Sequence, residues 1–348
     1  MSRKCHISEK THIDPQKAAE LIEAYYQQGW TDGFPVVPPS EHSITAMLSA
    51  AGLQEDTIIA TIATRNAVIT ADKVALNAIM AGCLPEYMPV IVSAVKGMCH
   101  PDFSYHGMAT STGGPSLSII VNGPIAKQLG INAKENVFGP GTRANMTIGR
   151  SLRLLMMNSL NTRPGILDCS TIGSLGKISF CFAENEADSP WEPLHVERGF
   201  GRHESTTTVY AAEDIMQVYN QLARTPEPFL LGMADAMANM GSVNITGQQN
   251  VIAVFAGEHA KVLKDNGWSK QQVKEYLFDH AKRTVANLKR ALRLSGNLQP
   301  EDETAWRHVV RNPEDIIVVC AGGAVGNFSA CLLGWGSYKS TRAITTII

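Results

Sequence analysis

Residues 316–336 read IIVVCAGGAVGNFSACLLGWG and contain no charged side chain. A run of this length is long enough to cross a membrane as a helix. Its first half is rich in β-branched residues, however, and five glycines follow, which is typical of a buried strand and a tight turn. We therefore interpret the segment as a buried strand, a glycine turn and a helix inside a folded core, rather than as a membrane span.

The same order of patterns occurs a second time. In residues 250–267, NVIAVFAGEHAKVLKDNG, a β-branched run is followed by Ala-Gly and then by a helical pattern. Two strand–glycine–helix units joined by further helices predict parallel crossover connections, and therefore an α/β fold. We expect a mixed or mostly parallel sheet with helices on its faces, arranged as two lobes.

The same patterns divide the chain into three regions. They are N-terminal helices with an extended proline-rich segment (1–55), a first α/β lobe (56–200) and a second α/β lobe (201–348). In the second lobe we expect the strand at 206–214 to lead into a helix. We also expect a long polar helix at 269–294 and another at 301–311.

Composition limits the classes of partner. The 348 residues carry 30 basic and 32 acidic side chains, for a net charge of −2 and no basic stripe, so nucleic acid and membranes are not expected partners. Only 18% of the residues are charged, which favours a homo-oligomer that buries part of its apolar surface. Seven scattered cysteines without C-x-x-C spacing, and a start without a signal-peptide pattern, favour reduced thiols in the cytoplasm.

An anion-binding motif is predicted in FGPGTRANMTIGRSLRLLMMNSL, residues 138–160. Gly141 allows a positive φ and a turn that presents backbone N–H groups, and Thr142 is expected to cap a helix beginning at Arg143. Arg143 and Arg150 are seven residues apart and share one helical face. A cation in the first turn opposes the helix dipole, which is tolerable where an anion binds. The two arginines therefore either clamp a ligand anion or pair with acidic side chains across a domain or subunit contact.

Residues 99–124 form the loop richest in functional side chains. The hydroxyl groups around Thr112, followed by two glycines, can cradle an oxyanion or can satisfy their own backbone in a turn. Cys99, His100 and His106 can bind a metal in principle, but their spacing matches no standard zinc site. We therefore predict neither a metal nor another cofactor.

Candidate catalytic groups lie at predicted helix starts and strand ends. Cys83 lies beside a helix start, where the pKa of a thiol falls, although a lone cysteine can equally be a small buried hydrophobe. Glu184 and Glu186 follow a strand, just before Trp191, and can serve in acid–base chemistry or pair with arginines. His259 lies at the strand-to-helix turn of AGEHA and is a candidate base.

Six segments occur together in the chain: WTDGFPVVPPS, MAGCLPEYMPV, IIVNGPIA, RANMTIGRSLRL, AENEADSPWEPL and GWSKQQVKEYL. They resemble a bacterial family associated with small proteins that carry a Sec/Cys-Gly-Ser-Cys motif. The resemblance extends from Gly29 to about Gly336 and implies a catabolic or redox enzyme. The chain itself lacks that motif, so a thiol or selenol centre would come from a separate small partner protein. The positions that the resemblance marks are Cys83, Glu86, Asn122, Arg143, Asn145, Arg150, Glu184 and Trp191.

These observations predict a site between the lobes, at the carboxyl ends of strands. The expected function is a cytoplasmic enzyme acting on a small carboxylate-bearing metabolite by lyase or hydrolase chemistry. The alternatives are an oxidoreductase subunit that works with a thiol or selenol partner, and a non-catalytic small-molecule binding protein.

The predicted site draws on separate parts of the chain. The contributing segments are 99–115, 139–150, 184–195 and 256–259. The candidate catalytic residues are Cys83, Glu86, Glu184 and His259. The candidate substrate-binding residues are Thr112, Asn122, Gly141, Arg143, Asn145, Arg150 and Trp191.

Overall fold

The computed structural model describes residues 14–348 and confirms the α/β class, with a mixed sheet and helices packed on it. The strands are β1 (Ile58–Ile62), β2 (Ala67–Thr70), β3 (Ser116–Asn122), β4 (Cys181–Ala183), β5 (Thr206–Tyr219), β6 (Val251–Phe255), β7 (Lys282–Thr284), β8 (Trp306–His308), β9 (Ile316–Cys320), β10 (Phe328–Gly334) and β11 (Ile344–Ile347). The helices are α1 (Pro15–Gln27), α2 (Glu41–Ala50), α3 (Ala71–Ala81), α4 (Met88–Met98), α5 (Tyr105–Thr110), α6 (Pro124–Gln128), α7 (Arg143–Leu160), α8 (Leu194–Glu197), α9 (Pro226–Met237), α10 (Asn244–Gly247), α11 (Gly257–Asp265), α12 (Lys270–His280) and α13 (Val285–Arg290).

One seven-stranded sheet runs through both expected lobes, in the order β4-β3-β5-β10-β6-β9, with β11 beside β5. In this sheet β3 and β4 are parallel, as are β6 and β9, and the other pairs are antiparallel. In the first half, β3 pairs with β4 in parallel, and β5 then pairs antiparallel with the other side of β3. In the second half, β6 pairs with β9 in parallel, and β10 pairs antiparallel with the other side of β6. The two halves therefore have the same topology. The two halves join where β5 pairs with β10, and they therefore share one continuous sheet.

The sheet curls until its two edge strands approach each other. The amide of Asn185, just after β4, donates to the carbonyl of Cys320 at the end of β9, at 2.7 Å. Side chains from both halves, including Phe182 of β4 and Val319 of β9, fill the inside of the curl as one apolar core. Two further cores are formed mainly within one half each. The curl thus brings the carboxyl ends of β4, β6 and β9 close together.

Helix α7 is the main helix of the first half and packs on α3 and against the sheet. It begins at Arg143 after Thr142, as the sequence predicts, but the Thr142 side chain makes no capping hydrogen bond. Gly149 lies against the segment before β4, where an added Cβ would come within 2.2 Å of the Ser179 hydroxyl oxygen. A residue without a side chain is needed there, because the contact is with a segment that runs straight into the sheet.

Two segments predicted as helices are strands. The strand at 206–214 does not lead into a helix but continues to Tyr219, and the helix expected at the end of 316–336 is strand β10. Short apolar segments fit either structure, and periodicity alone does not separate them. Here β10 pairs with β5 on one side and with β6 on the other, so the ladder at the centre of the sheet decides the structure. None of the helices within residues 14–348 is long and apolar enough to cross a membrane.

The helix predicted at 269–294 is wrong in extent, and the helix predicted at 301–311 is wrong, because a 3₁₀ turn (Pro300–Glu303) and strand β8 occupy those residues. Helix α12 ends at His280. The short strand β7, which pairs with β8 from later in the chain, separates α12 from α13. The hydroxyl of Thr284 accepts the amide of Asn287 and so caps a separate helix. A polar stretch can keep helical periodicity across such a hairpin, and only the pairing of β7 with β8 shows the interruption.

Candidate functional site

Arg150, one of the two arginines of the predicted anion clamp, is paired internally. Its guanidinium donates to both carboxylate oxygens of Asp32, at 2.7 and 2.6 Å, and to the carbonyl oxygens of Phe34 and Pro35. The Asp32 side chain is only 6% exposed. Of the two roles that the sequence allowed, pairing with an acidic side chain is therefore the one that Arg150 has. It attaches α7 to the proline-rich segment between α1 and α2.

The other groups of the predicted clamp also bond to neighbouring backbone. The Nε of Arg143 donates to the carbonyl of Gly82, at the end of α3, at 2.9 Å. Asn145 brackets Asn132, accepting from its amide at 2.7 Å and donating to its carbonyl at 3.0 Å. Gly141 has a φ of 138° and lies in an exposed turn. The helix start is as predicted, but its polar side chains connect parts of the fold instead of surrounding a cavity.

Three of the candidate catalytic residues do not form a reactive centre. Burial raises the pKa of the Cys83 thiol to about 12, so the thiolate is not the form present at neutral pH. Glu86 is exposed on the surface. Both ring nitrogens of His259 are occupied, with Nδ1 2.8 Å from the Ser329 hydroxyl oxygen and Nε2 3.2 Å from the Asn220 carbonyl oxygen. Burial also lowers the pKa of His259, which packs in the core as a neutral side chain.

The fourth candidate, Glu184, lies in a buried polar cluster directly after β4. Its Oε2 accepts from the Asn122 side-chain amide at 2.6 Å and from the backbone amide of Leu194 at 2.8 Å. Asn122 also donates to Glu186 at 3.0 Å, and Glu186 accepts the amide of Gly123 at 2.7 Å. The structure thus places together two of the residues that the sequence marks, Glu184 and Asn122.

Several buried polar atoms beside Glu184 have no hydrogen-bond partner in the described part of the chain. His195 is fully buried with both ring nitrogens unpartnered, and its Nδ1 is 3.8 Å from the Glu186 carboxylate. The other unpartnered atoms are Oε1 of Glu184, Oδ1 of Asn122 and Oγ1 of Thr206. Buried polar groups are normally satisfied, so this group has unused bonding capacity. We call Asn122, Glu184, Glu186, His195 and Thr206 the Glu184 cluster.

The surroundings of Glu184 bring the pKa of its carboxyl group close to neutral pH. Burial raises the pKa of Glu184 to about 7, although the charge of Lys270 and the hydrogen bonds from Leu194 and Asn122 act in the opposite direction. Lys270 is itself paired, since its ammonium donates to Glu197 at 2.7 Å. A carboxyl group with this pKa is ionised in about half of the molecules at neutral pH, and it can therefore both accept and donate a proton.

A cavity of about 420 Å³ opens at the carboxyl ends of β6 and β9. Phe255 and Cys320, the last residues of these strands, line it together with Gly257 at the start of α11. Asn185 and Asp188 also line it, and Asn185 follows Glu184 directly in the chain. The Glu184 cluster therefore lies immediately behind one wall of this cavity.

Two of the four segments predicted to form the site, 184–195 and 256–259, meet at this cavity. From 139–150, Gly139 lines a second cavity of about 440 Å³, on the other side of the loop that follows β9. Segment 99–115 lies before the amino end of β3, at the far end of that strand from Asn122. The predicted site is thus assembled only in part.

Two candidate binding residues have structural contacts. Thr112 is exposed, and its carbonyl accepts the amide of Thr171 at 2.9 Å. Trp191 donates its indole N–H to the carbonyl of Trp268 at 2.8 Å and packs edge-on against Phe255, next to the 420 Å³ cavity. Trp191 therefore supports one side of the cavity, whereas Thr112 is remote from it.

Lys270 and Thr206 have no role predicted from the sequence, and His195 is included only as the last residue of the predicted segment 184–195. The position of Lys270 is unusual in the sequence, because the residue lies in the first turn of α12, where a cation opposes the helix dipole. Thr206 is a β-branched residue at a strand start and His195 a single histidine in a loop-rich stretch, and neither pattern indicates a site. Their proximity to Glu184 depends on the pairing of β3 with β5 and on the path of the chain after β4.

Within residues 14–348, no group of three or more His, Cys, Asp or Glu side chains is arranged to hold a metal ion. A comparison of the chain with protein-family models, curated proteins and solved structures finds no match. The geometry of the site is therefore the basis for a functional proposal.

Proposed function

We propose that the protein is an enzyme that acts on a small carboxylate-bearing metabolite, by lyase or hydrolase chemistry, in the cavity beside the Glu184 cluster. The observation that carries this proposal is Glu184 itself, which is buried, has an unpartnered Oε1 and a pKa raised to about 7. Buried carboxyl groups with a near-neutral pKa are typical general acids and bases. Ligands of α/β sheets also bind at the carboxyl ends of the strands.

In this proposal Glu184 transfers the proton. Because Glu184 is not among the residues that line the cavity, its ionised form would take the proton through a bridging water molecule, and its protonated form would return a proton by the same route. Covalent catalysis by a thiol fits less well, because burial raises the pKa of Cys83 and of Cys320 to about 12.

The substrate carboxylate would face the first turn of α11. The free N–H groups and the dipole of a helix start favour an anion. Lys261 and Lys264, both on α11, line the cavity together with Asp188 and Asp265. The two aspartates have lysine partners, since Asp265 pairs with Lys261 and Asp188 pairs with Lys134 at 3.0 Å. Lys264 makes no salt bridge with any residue of the described chain, so it supplies the positive charge for the ligand.

The experiment is a turnover screen on a panel of hydroxy, keto, amino and amide derivatives of small carboxylic acids. It compares the wild type with Glu184→Gln, which preserves the shape and acceptor oxygen of the side chain, and with Glu20→Gln on the exposed surface of α1. Turnover that is lost only in Glu184→Gln supports the proposal. Turnover that persists in Glu184→Gln contradicts it.

Native mass spectrometry of freshly purified protein complements the screen. It reports retained small molecules and subunit number together, and we expect a homo-oligomer of the proposed cytoplasmic enzyme. A retained ligand that the protein does not convert would favour the alternative, a non-catalytic binding protein.

A second candidate function is an oxidoreductase subunit that works with a small thiol or selenol partner, as the family resemblance implies. The observation that favours it is Cys169, which is the one exposed cysteine in residues 14–348. Burial raises the pKa of Cys83, Cys99, Cys320 and Cys331 to about 12 and raises that of Cys181 as well. Cys169 is therefore a better candidate than Cys83 for a mixed disulfide with the partner.

Alkylation of the native protein is expected to label Cys169 first. Iodoacetamide treatment followed by peptide mass mapping should show Cys169 modified about tenfold or more faster than the four buried cysteines and the half-buried Cys99, because the reagent reaches an exposed thiol directly. Denatured protein, in which all sites react at similar rates, is the control. Cys5 lies outside the described residues and is left out of the comparison. Equal rates for Cys169 and Cys83 in the native protein would contradict the assignment.

A further inference from the structure

A second charged site lies at the opposite end of β3 from the Glu184 cluster. Arg153 of α7 and Lys177, just before β4, converge on the carboxylate of Asp168. Gly176 packs against Ser116, the first residue of β3, whereas Asn122 of the Glu184 cluster is the last. Because β3 is seven residues long, the two sites are about 20 Å apart.

The bonds within this site are well defined. Lys177 donates to both carboxylate oxygens of Asp168 at 2.9 Å and to the Ser170 hydroxyl at 2.6 Å. Arg153 Nη2 is 3.1 Å from Asp168 Oδ2. Burial alone would raise the pKa of Asp168, but the hydrogen bonds from Ser170 and Lys177 and the two positive charges outweigh it and lower this pKa to about 2. The Asp168 carboxyl group is thus ionised at neutral pH, and the formal charges of Arg153, Lys177 and Asp168 sum to +1.

These groups line a cavity of about 490 Å³, whose remaining lining residues are uncharged. A guanidinium has five N–H donors, and the only ionic partner of Arg153 within residues 14–348 is Asp168. The other donors of Arg153 are not among the buried unsatisfied atoms, and Arg153 is one of the residues that line the cavity. Asp214, which accepts from Ser174 at 3.1 Å, is the nearby acidic group, and it is exposed outside the cavity lining.

The rim of the cavity is apolar. Ile172 is 96% exposed and Leu175 is 81% exposed, and both line the opening. Large aliphatic side chains exposed around a charged pocket usually mark a surface that a ligand covers. A bare inorganic anion would leave both side chains in water. A ligand with one negative charge and a short apolar group would satisfy both parts of the site.

We propose that this cavity, which we call the Arg153 pocket (Arg153, Asp168, Ser170, Ile172, Leu175 and Lys177), binds a monocarboxylate that carries a short apolar group. The carboxylate accepts hydrogen bonds from the donors of Arg153 that do not face Asp168, and the apolar group packs on Ile172 and Leu175. Asp168 holds Lys177 in place through two hydrogen bonds. This site is separate from the proposed catalytic cavity, and it does not depend on the function proposed for that cavity.

The test uses the full chain and isothermal titration with hexanoate, hexanamide, acetate and inorganic phosphate as probes. Hexanoate is expected to bind saturably, with an affinity at least about tenfold higher than that of hexanamide, because the neutral amide cannot replace a charge-assisted pair with Arg153. Arg153→Gln should lower hexanoate affinity at least about tenfold, whereas exposed Arg202→Gln should not change it. Glu184→Gln should bind hexanoate normally, which separates this site from the catalytic proposal.

A second variant keeps the test decisive if Arg153→Gln is poorly folded. Leu175→Ser is at an exposed position, and it should remove most of the preference for hexanoate over acetate while leaving acetate affinity unchanged. Hexanoate and hexanamide binding with equal affinity would overturn the proposal. Phosphate binding tighter than hexanoate would overturn it as well, since it would assign the pocket to another class of anion.

Discussion

The Glu184→Gln variant is expected to be more stable than the wild type above pH 7 and equally stable at acidic pH. Burial raises the pKa of Glu184 from 4.5 to about 7, so the folded state binds this proton more tightly than the unfolded state. The contribution of Glu184 to the free energy of unfolding therefore falls as the pH rises from 4.5 to about 7 and is constant above that. A shift of this size corresponds to about 3 kcal/mol. Glutamine does not ionise, so the variant should lack this decline.

Urea denaturation between about pH 5 and pH 8 measures the effect. The difference between variant and wild type should grow with pH and level off near neutrality. Glu20→Gln, at an exposed position, is the control and should follow the wild type at every pH. Parallel curves for wild type and Glu184→Gln would show that Glu184 has an ordinary pKa, and the proposed acid–base role would lose its basis.

The same substitution is expected to lower kcat by about 10²–10⁴ on any metabolite that the wild type converts, which is the usual contribution of a general acid or base. The wild-type pH profile of kcat should bend near pH 7, and the bend should be absent from the residual activity of Glu184→Gln. A gain in stability combined with a loss of activity is characteristic of a group buried for catalysis at a cost to the fold. A variant that gains stability and keeps its activity would assign Glu184 a structural role.

Arg150→Ala is expected to destabilise the protein by about 3–5 kcal/mol, because it leaves the buried carboxylate of Asp32 without its partner. The substitution also removes the donor that the carbonyl groups of Phe34 and Pro35 share. Thermal and urea unfolding at neutral pH measure the loss. A change smaller than about 0.5 kcal/mol, as is usual for surface substitutions, would mean that the pair with Asp32 contributes little and that Arg150 is free for another role.

A double variant identifies the cause of the loss. Replacing both partners, Arg150→Met with Asp32→Leu, should restore most of the stability, since no unpaired charge then remains in the buried position. Asp32→Leu alone should be destabilising, because it leaves the Arg150 guanidinium with carbonyl partners only. If the double variant is no more stable than Arg150→Ala, the contacts with the proline-rich segment outweigh the ion pair.

Local sequence patterns were enough to predict where some elements begin. Helix α7 begins immediately after Thr142, as expected, although the Thr142 side chain makes no capping hydrogen bond. The β-branched runs of β6 and β9 are likewise recognisable, because a strand buried on both faces is apolar along its whole length.

The sequence also indicated part of the candidate site. Carboxylates after a strand end are usual acid–base groups, and this pattern marked Glu184. The unusual pKa of Glu184 is not visible in the sequence, because it depends on how completely other segments bury the carboxyl group. Arg143 and Arg150 were correctly placed on one helical face. What covers that face is Asp32 and the proline-rich segment, 118 residues from Arg150 along the chain.

The amino-acid sequence by itself determined the α/β class, the helix starts and the apolar strands, since each of these depends on interactions between residues close together in the chain. Only the tertiary structure decided that residues 328–334 are a central strand, that Arg150 is paired, and that Asn122, Glu184 and His195 form one buried cluster. The physical reason is that burial and pairing are set by segments that meet across the curled sheet, and no local pattern records which segments will meet.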